Sequence, residues 1–194
     1  MSELFQTPLA SPRLFLRRLR GDDVGSLCRY RSLPKVAQYQ SWDSFGPDDA
    51  ARLIKDQRDK EPSVPGTWFQ VAIVERASEI IVGDCGPHCQ QDDPRQMEFG
   101  ITLDPGDQGR GHATEALRFL LNFVFGILVQ HRVSAVTDAE NHAGVALFRR
   151  LDFRQEAPHI EHRWYKGYRD SEFEFALLRR EWELRSQPGQ EAAK

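Results

Sequence analysis

The sequence predicts an α+β fold in which a central mixed, mostly antiparallel sheet of about seven strands is flanked by helices. Three observations predict it. Residues 13–59 read as one short strand and then mainly helix, and from residue 68 the pattern changes to runs rich in β-branched and aromatic side chains. Residues 96–137 then spell a strand, an amphipathic helix and another strand. Such a βαβ unit has parallel strands joined by a right-handed crossover. The sheet should therefore be antiparallel early and acquire one parallel pair in the middle.

Residues 13–19 alternate as a short strand, and Asp22 and Asp23 offer N-cap oxygens to a helix through Val24, Leu27 and Arg31. Pro34 and Pro47 bracket a second helical patch, with Pro47 in the first turn of a helix ending near Asp59, where its missing N–H costs nothing. Residues 68–74 and 80–85 form a hairpin across a turn at residues 75–79. Residues 96–103 are the next strand, which the run Asp104-Pro105-Gly106-Asp107 ends. Ala113, Ala116, Leu117, Leu120, Leu121, Val124, Ile127 and Leu128 recur at three and four, one apolar stripe on a long helix. A strand at 133–137, a short helix at 142–151 and closing strands from Phe153 and over 173–178 complete the chain.

The length of 194 residues, with 40% apolar and 28% charged content, fits a single domain over residues 11–185, with short terminal segments at 1–10 and 186–194. The tail is expected to fray. A balance of 26 basic against 29 acidic residues argues against a polyanion partner such as nucleic acid. The most apolar stretch, residues 119–129, is interrupted by Asn122 and Gly126 and is short of the ~20 residues a membrane span needs. Glu3 and Pro8 stand where a secretory signal would place basic and then apolar residues. Three cysteines, an odd number, point to reduced thiols and a cytoplasmic location.

The stretch that carries chemistry is Gln108-Gly109-Arg110-Gly111-His112-Ala113-Thr114, at the end of a strand and the start of the long helix. Unpaired N–H groups and the helix dipole favour an anion there, and two glycines let the backbone approach it closely. A pyrophosphate suits such a loop best. The Lys-Ser/Thr ending of a P-loop is missing, and so is the spacing of a dinucleotide fingerprint. The His112 backbone N–H is the part the pyrophosphate would use, with the imidazole expected in solvent. Cys85-Gly-Pro-His88-Cys89 has metal-binding residue types but neither a fourth ligand nor a zinc spacing, so no metal is expected.

The loop resembles the Gln/Arg-x-x-Gly-x-Gly/Ala signature of the GCN5-related N-acetyltransferases (GNAT). The opening Ser11-Pro-Arg-Leu-Phe-Leu-Arg-Arg-Leu, the segment Gly83-Asp-Cys-Gly86, Glu98-Phe-Gly-Ile, Asn141 and the closing Ala176-Leu-Leu-Arg-Arg-Glu-Trp182 are similar to the RimJ/RimL-like branch, and together they cover residues 11–184. The resemblance implies that the parallel strands splay apart to hold acetyl-CoA. It also implies an oxyanion contact from a backbone N–H in Ile101-Thr102-Leu103, and a pantetheine contact from Asn141, which is equally a good N-cap. Glu98 stands where relatives often carry an acidic residue and is the candidate base, with an ordinary strand carboxylate paired to an Arg as the alternative.

Three positions depart from the family pattern. Phe148 replaces a Tyr that protonates the leaving thiolate in many relatives, so it can line the cofactor site but donate nothing. Gly144 replaces a small hydroxyl residue, and Asp152 a Gly. Arg149 and Arg150 are candidates for the coenzyme's 3′-phosphate, with a solvated helix face as the alternative. Tyr39 and Trp42 fall in a segment that resembles the wall of the acceptor site, with core packing as the alternative; Tyr165 and Tyr168 around Gly167 are candidates to line the same cleft, and Trp68 reads as core.

The reading is an N-acetyltransferase that moves an acetyl group to a primary amine, a protein N-terminal α-amine or a small amine, in a direct ternary complex. No cysteine pairs with a base as a nucleophile would. The partner is a small-molecule or peptide amine, and a homodimer is the assembly allowed. A coenzyme-binding sensor without turnover is the alternative that Phe148 and Gly144 raise.

Overall fold

The computed structural model describes residues 9–186. One sheet of eight strands runs in the order β1-β2-β3-β4-β5-β6-β8-β7. Its strands are β1 (Leu9–Ala10), β2 (Leu14–Arg18), β3 (Val71–Glu75), β4 (Ile81–Cys89), β5 (Gln96–Leu103), β6 (Arg132–Asp138), β7 (Arg154–Tyr165) and β8 (Tyr168–Leu178). Every neighbouring pair is antiparallel except β5 and β6, which are parallel. The eighth strand is β1, two residues expected in the N-terminal segment that pair with Phe15 and Leu16 instead. The rest of that segment and the tail beyond Ser186 lie outside the described residues.

Helices cover both faces. On one side α1 (Val24–Arg31), α2 (Pro34–Ala37) and α3 (Pro47–Gln57) precede β3. Leu27, Tyr30, Ala50 and Ile54 pack there against Ala72, Val74 and Ile81. The other face carries α4 (His112–Leu121) and α5 (His142–Arg150), whose Ala116, Leu117, Leu120, Val145 and Phe148 meet Met97, Phe99, Val133, Ala135 and Phe175. Because strand side chains alternate, odd-numbered residues of β5 face α4 and even-numbered ones face the α1 side. That alternation decides which residues reach the cleft described below.

The stripe predicted as one helix over 113–128 divides. The α-helix stops at Leu121, and residues 122–127 form a π-turn in which the Leu128 N–H donates to the Phe123 carbonyl five residues back, at 3.0 Å. The wider turn buries Phe123, Val124 and Phe125 in succession and rotates Ile127 to 57% exposure, where the stripe had it inside. Asp23 does not cap α1. Its carboxylate accepts from the Arg20 N–H at 2.7 Å and from both ends of the Arg17 guanidinium, which fixes the 3₁₀ turn ahead of the helix. After β8 a helix with no counterpart in the sequence reading, α6 (Arg179–Ser186), starts where Glu181 accepts from the Leu178 N–H at 2.9 Å.

A buried polar knot ties α1 to β4. The fully buried Asp84 carboxylate accepts both arms of Arg31, at 2.6 and 2.9 Å, together with the Tyr30 hydroxyl and the Gln70 amide. Burial pushes the Tyr30 phenol well above its ordinary value, with the Asp84 charge adding to it. No helix among the described residues is long and apolar enough to cross a membrane.

Candidate functional site

β5 and β6 pair at only three rungs, Gln96 with Arg132, Met97 with Val133 and Glu98 with Ser134. Beyond Glu98 the strands part. β5 continues to Leu103 along β4 and β6 to Asp138 along β8, so the backbone groups that each turns towards the other have no ladder partner. A cleft of about 870 Å³ opens at this gap on the α4 side, floored by Ile101 and Leu103 and flanked by the loop, α4 and α5.

The loop is built for an anion. Gly109 and Gly111 take positive φ of 76° and 81°, a region open to glycine at no steric cost. Gly111 is the N-cap of α4 and has no side chain to satisfy the free N–H groups of the first turn. A Cβ on Gly109 would meet nothing within 4 Å, so a ligand can approach the backbone there. These features fit the phosphates of coenzyme A, which backbone N–H groups at a helix N-terminus can hold.

Of the residues read from the sequence as cofactor contacts, Ile101, Leu103, Gln108, Gly109, Gly111, His112, Ala113, Thr114 and Asn141 line the cleft. Four side chains stand elsewhere. Thr102 is an even-numbered residue of β5, and its side chain is buried on the opposite face. Phe148 points into the core, its ring 5.5 Å from Phe153 and 5.7 Å from Phe175, because it lies on the buried side of α5. Arg149 is turned to solvent and holds Gln155 at 2.9 Å, whereas Arg150, one residue on, borders the cleft and reaches Thr114. Arg110 also faces outward, paired with Asp107 at 3.2 Å.

His112 is a further correction. Its imidazole is 3% exposed, turned under the loop with Nε2 4.0 Å from Glu75, and its Nδ1 has no hydrogen-bond partner. Only the start of α4, to which its backbone belongs, was legible in the loop.

Asn141 is the N-cap of α5, its Oδ1 accepting from the Gly144 N–H at 3.0 Å while the residue borders the cleft. Gly144 now has a physical reason. A Cβ there would stand 2.7 Å from Thr137 Oγ1 and 2.9 Å from Asn141 Nδ2, so the hydroxyl residue of relatives could not fit without a shift.

Glu98 sits on the last shared rung, facing away from α4, so it looks at the gap from the side opposite the cofactor cleft. Burial raises its carboxyl above the usual glutamate range. The His88 charge and the Gln90 hydrogen bond oppose that, and Glu172 and Glu174 reinforce it. Trp68 is 39% exposed rather than core. Its indole lies over Gly100, which has no Cβ to exclude it, and beside the His88 ring at 5.1 Å.

Tyr39 and Trp42 lie in the connection after α2, on the same side. The Tyr39 hydroxyl donates to the Glu140 carbonyl at 3.4 Å, which brings it next to Asn141. Trp42 donates from Nε1 to the Arg31 carbonyl at 3.0 Å and lies under the Arg31 guanidinium, 4.4 Å from the ring centroid. The tip of the β7–β8 hairpin clasps this connection. Lys166 donates to the Ala37 carbonyl at 2.6 Å and the Trp42 carbonyl at 2.5 Å and pairs with Asp43 at 3.2 Å, while the Tyr165 hydroxyl donates to the Gln40 carbonyl. The Tyr168 hydroxyl reaches Asp138 at the end of β6.

Cys85 and Cys89 are buried on β4, and burial pushes both thiols up, away from the thiolate a nucleophile needs. Among the described residues no three His, Cys, Asp or Glu side chains come together as metal ligands. Sequence reading missed Arg13 and Lys166, whose partners at the site lie about a hundred residues or more away and leave no periodic signal.

Comparison with known proteins is consistent across sequence and fold. A family model described as an acetyltransferase (GNAT) domain matches residues 13–154. A Bacillus licheniformis protein named "uncharacterized N-acetyltransferase p20" is 28% identical over 174 residues, 90% of this chain and 97% of its own. A GNAT-family acetyltransferase structure from Bacillus anthracis superposes with a TM-score of 0.81 at 19% identity, covering 90% of this chain and 99% of its own. A spermidine N-acetyltransferase from Vibrio cholerae, solved in complex with CoA and spermine, superposes with a TM-score of 0.77 at 19% identity, covering 89% and 99%.

Proposed function

The chain belongs to the GNAT family of acetyltransferases and is an acetyl-CoA-dependent N-acetyltransferase; from that premise we propose that it acetylates a primary amine directly in a ternary complex, with Glu98 as the base. The observation that carries this reading is the position of Glu98 at the rung where β5 and β6 part, across the sheet from the cofactor cleft. An amine entering from the α1 side meets Glu98 before it meets the gap.

Acetyl-CoA supplies an activated acetyl carbon on a thioester. The chain's own residues do the remainder. Gly109, Gly111 and the first turn of α4 present N–H donors to the phosphates, and Asn141 and Leu147 border the passage inward. In this reading a backbone N–H of the splayed part of β5, where the groups turned towards β6 have no ladder partner, stabilises negative charge developing on a carbonyl oxygen. Glu98, with its raised pKa, takes the ammonium proton directly or through a water. An α-amine of pKa ~7.7 to 8.0 needs less help than a lysine-like amine of ~10.4. Phe148 donates no proton to the leaving thiolate, and a thiol of pKa ~8.5 leaves without it.

Tyr39, Trp42 and Trp68 form the acceptor wall in this reading, and Lys166 holds the part of it that contains Tyr39 and Trp42. The acceptor is an N-terminal α-amine or a small amine. Relatives that act on spermidine support a small cationic amine, and Glu98 in its ionised form would attract one. Lys166→Ala removes two carbonyl ties and the Asp43 pair, so the acceptor KM should rise about 5- to 10-fold through lost positioning. Initial rates would show it, with the acetyl-CoA KM unchanged; an unchanged acceptor KM would take the clasp out of acceptor binding.

A further inference from the structure

We propose that Arg13 and Glu115 form a clamp that holds the phosphate loop in its binding shape before the cofactor arrives. The inference rests on the assignment of that loop to coenzyme A. Arg13, at the turn into β2, spans two elements. Its Nη1 donates to the Arg110 carbonyl at 2.9 Å, and its Nε and Nη2 both meet Glu115 Oε2 at 2.6 Å. Glu115, in the first turns of α4, also accepts from the Arg13 backbone N–H at 3.1 Å and the Ser11 hydroxyl at 2.5 Å. Burial works against the Glu115 charge, yet these donors hold its carboxyl below the usual glutamate range. The carboxylate is the fixed end of the clamp.

The carbonyl that Arg13 grips belongs to the one residue between the two positive-φ glycines, Gly109 and Gly111. Glycine has the widest conformational freedom of any residue, so an unheld Gly-Arg-Gly segment would sample many orientations. In a planar trans peptide the carbonyl and the following N–H point opposite ways, so gripping the Arg110 carbonyl fixes the direction of the Gly111 N–H. A Cβ on Gly111 would lie 3.3 Å from Arg13 Nη2, so the guanidinium lies directly against the loop. Arg13 is thus a positioning residue, and the ordering entropy of the loop is met on folding rather than on binding.

Two variants separate this role from plain attraction between a guanidinium and an anion. Arg13→Ala should weaken coenzyme A binding about 10- to 100-fold by calorimetry, the range for hydrogen bonds to charged groups. Glu115→Gln removes a negative charge near an anionic ligand. Electrostatics alone would tighten binding; loss of the clamp should weaken it several-fold. In the ligand-free proteins, amide exchange over residues 109–113 should speed up in both variants while the later turns of α4 keep their protection. Tighter coenzyme binding in Glu115→Gln, or unchanged loop exchange in Arg13→Ala, would overturn the clamp. Failure of the wild type to bind coenzyme A would instead defeat the loop assignment, and the ligand-free exchange experiment still decides whether Arg13 orders the loop.

Discussion

Glu98→Gln lowers kcat/KM for acetyl transfer by about 10²- to 10⁴-fold, the range typical of a lost general base, with a larger loss for a lysine-like amine than for an α-amine. The pH profile carries the sharper information. Burial and the charges of Glu172 and Glu174 raise the Glu98 carboxyl, so the active, ionised form is lost as pH falls through a value above the ordinary glutamate range. An acid-limb inflection there should be present in the wild type and absent in Glu98→Gln. The stability effect has the opposite sense to the catalytic one. A carboxyl whose folded-state pKa is raised contributes stability below its unfolded pKa, and that contribution is lost as pH rises through the folded value. Glu98→Gln should therefore be as stable as the wild type at neutral pH, or slightly more so. A wild-type rate for both classes of amine would remove Glu98 from the mechanism.

Asp84→Ala has the largest expected effect on the fold. It leaves the Arg31 guanidinium buried without its counter-charge and strands the Tyr30 hydroxyl. Breaking one partner of a buried pair costs about 3–5 kcal/mol, which for a chain of this size corresponds to a Tm lower by roughly 6–20 °C. Calorimetry measures it. The knot also reaches the proposed acceptor wall, since Arg31 stacks on Trp42 and Phe45 and accepts from the Trp42 indole. The acceptor KM should accordingly rise in this variant at temperatures where it is still folded, while the coenzyme affinity holds. A Tm shift below ~2 °C would mean that the buried pair contributes little.

Much of the fold was legible because its signals are local. The Gly109–Gly111 loop, the Asn141 cap, Pro47 at a helix start and the strand–helix–strand order each depend on a few adjacent residues, and the structure keeps all of them. The direction of a side chain was less legible. Phe148 and Thr102 belong to elements that border the cleft, but the face each turns to it is set by the fold, Phe148 packing on Phe175 and Thr102 lying on the other face of β5, and not by the motif. The loop motif assigns the His112 backbone N–H to the ligand and leaves the imidazole to solvent, whereas in the fold the imidazole is buried, 4.0 Å from Glu75 of β3, far off in sequence. The apolar stripe on α4 was read with one period throughout, and the π-turn at residues 122–127 broke that period where three successive apolar residues had to be buried. Arg13 with Glu115 and Lys166 with Trp42 are long-range pairs, formed only once the sheet has brought the chain together.

The central claim is direct acetyl transfer within a complex of enzyme, acetyl-CoA and amine, and initial-rate kinetics against both substrates tests it most directly. The rates are followed as thiol release, with the amine product identified by mass, over a panel of α-amines and polyamines. The account predicts double-reciprocal lines that intersect, with one acetylated amine formed for each coenzyme A released. Parallel lines would indicate an acyl-enzyme, which the buried Cys85 and Cys89 do not provide for. Tight coenzyme binding with no product from any amine would contradict the account and leave a cofactor sensor in its place.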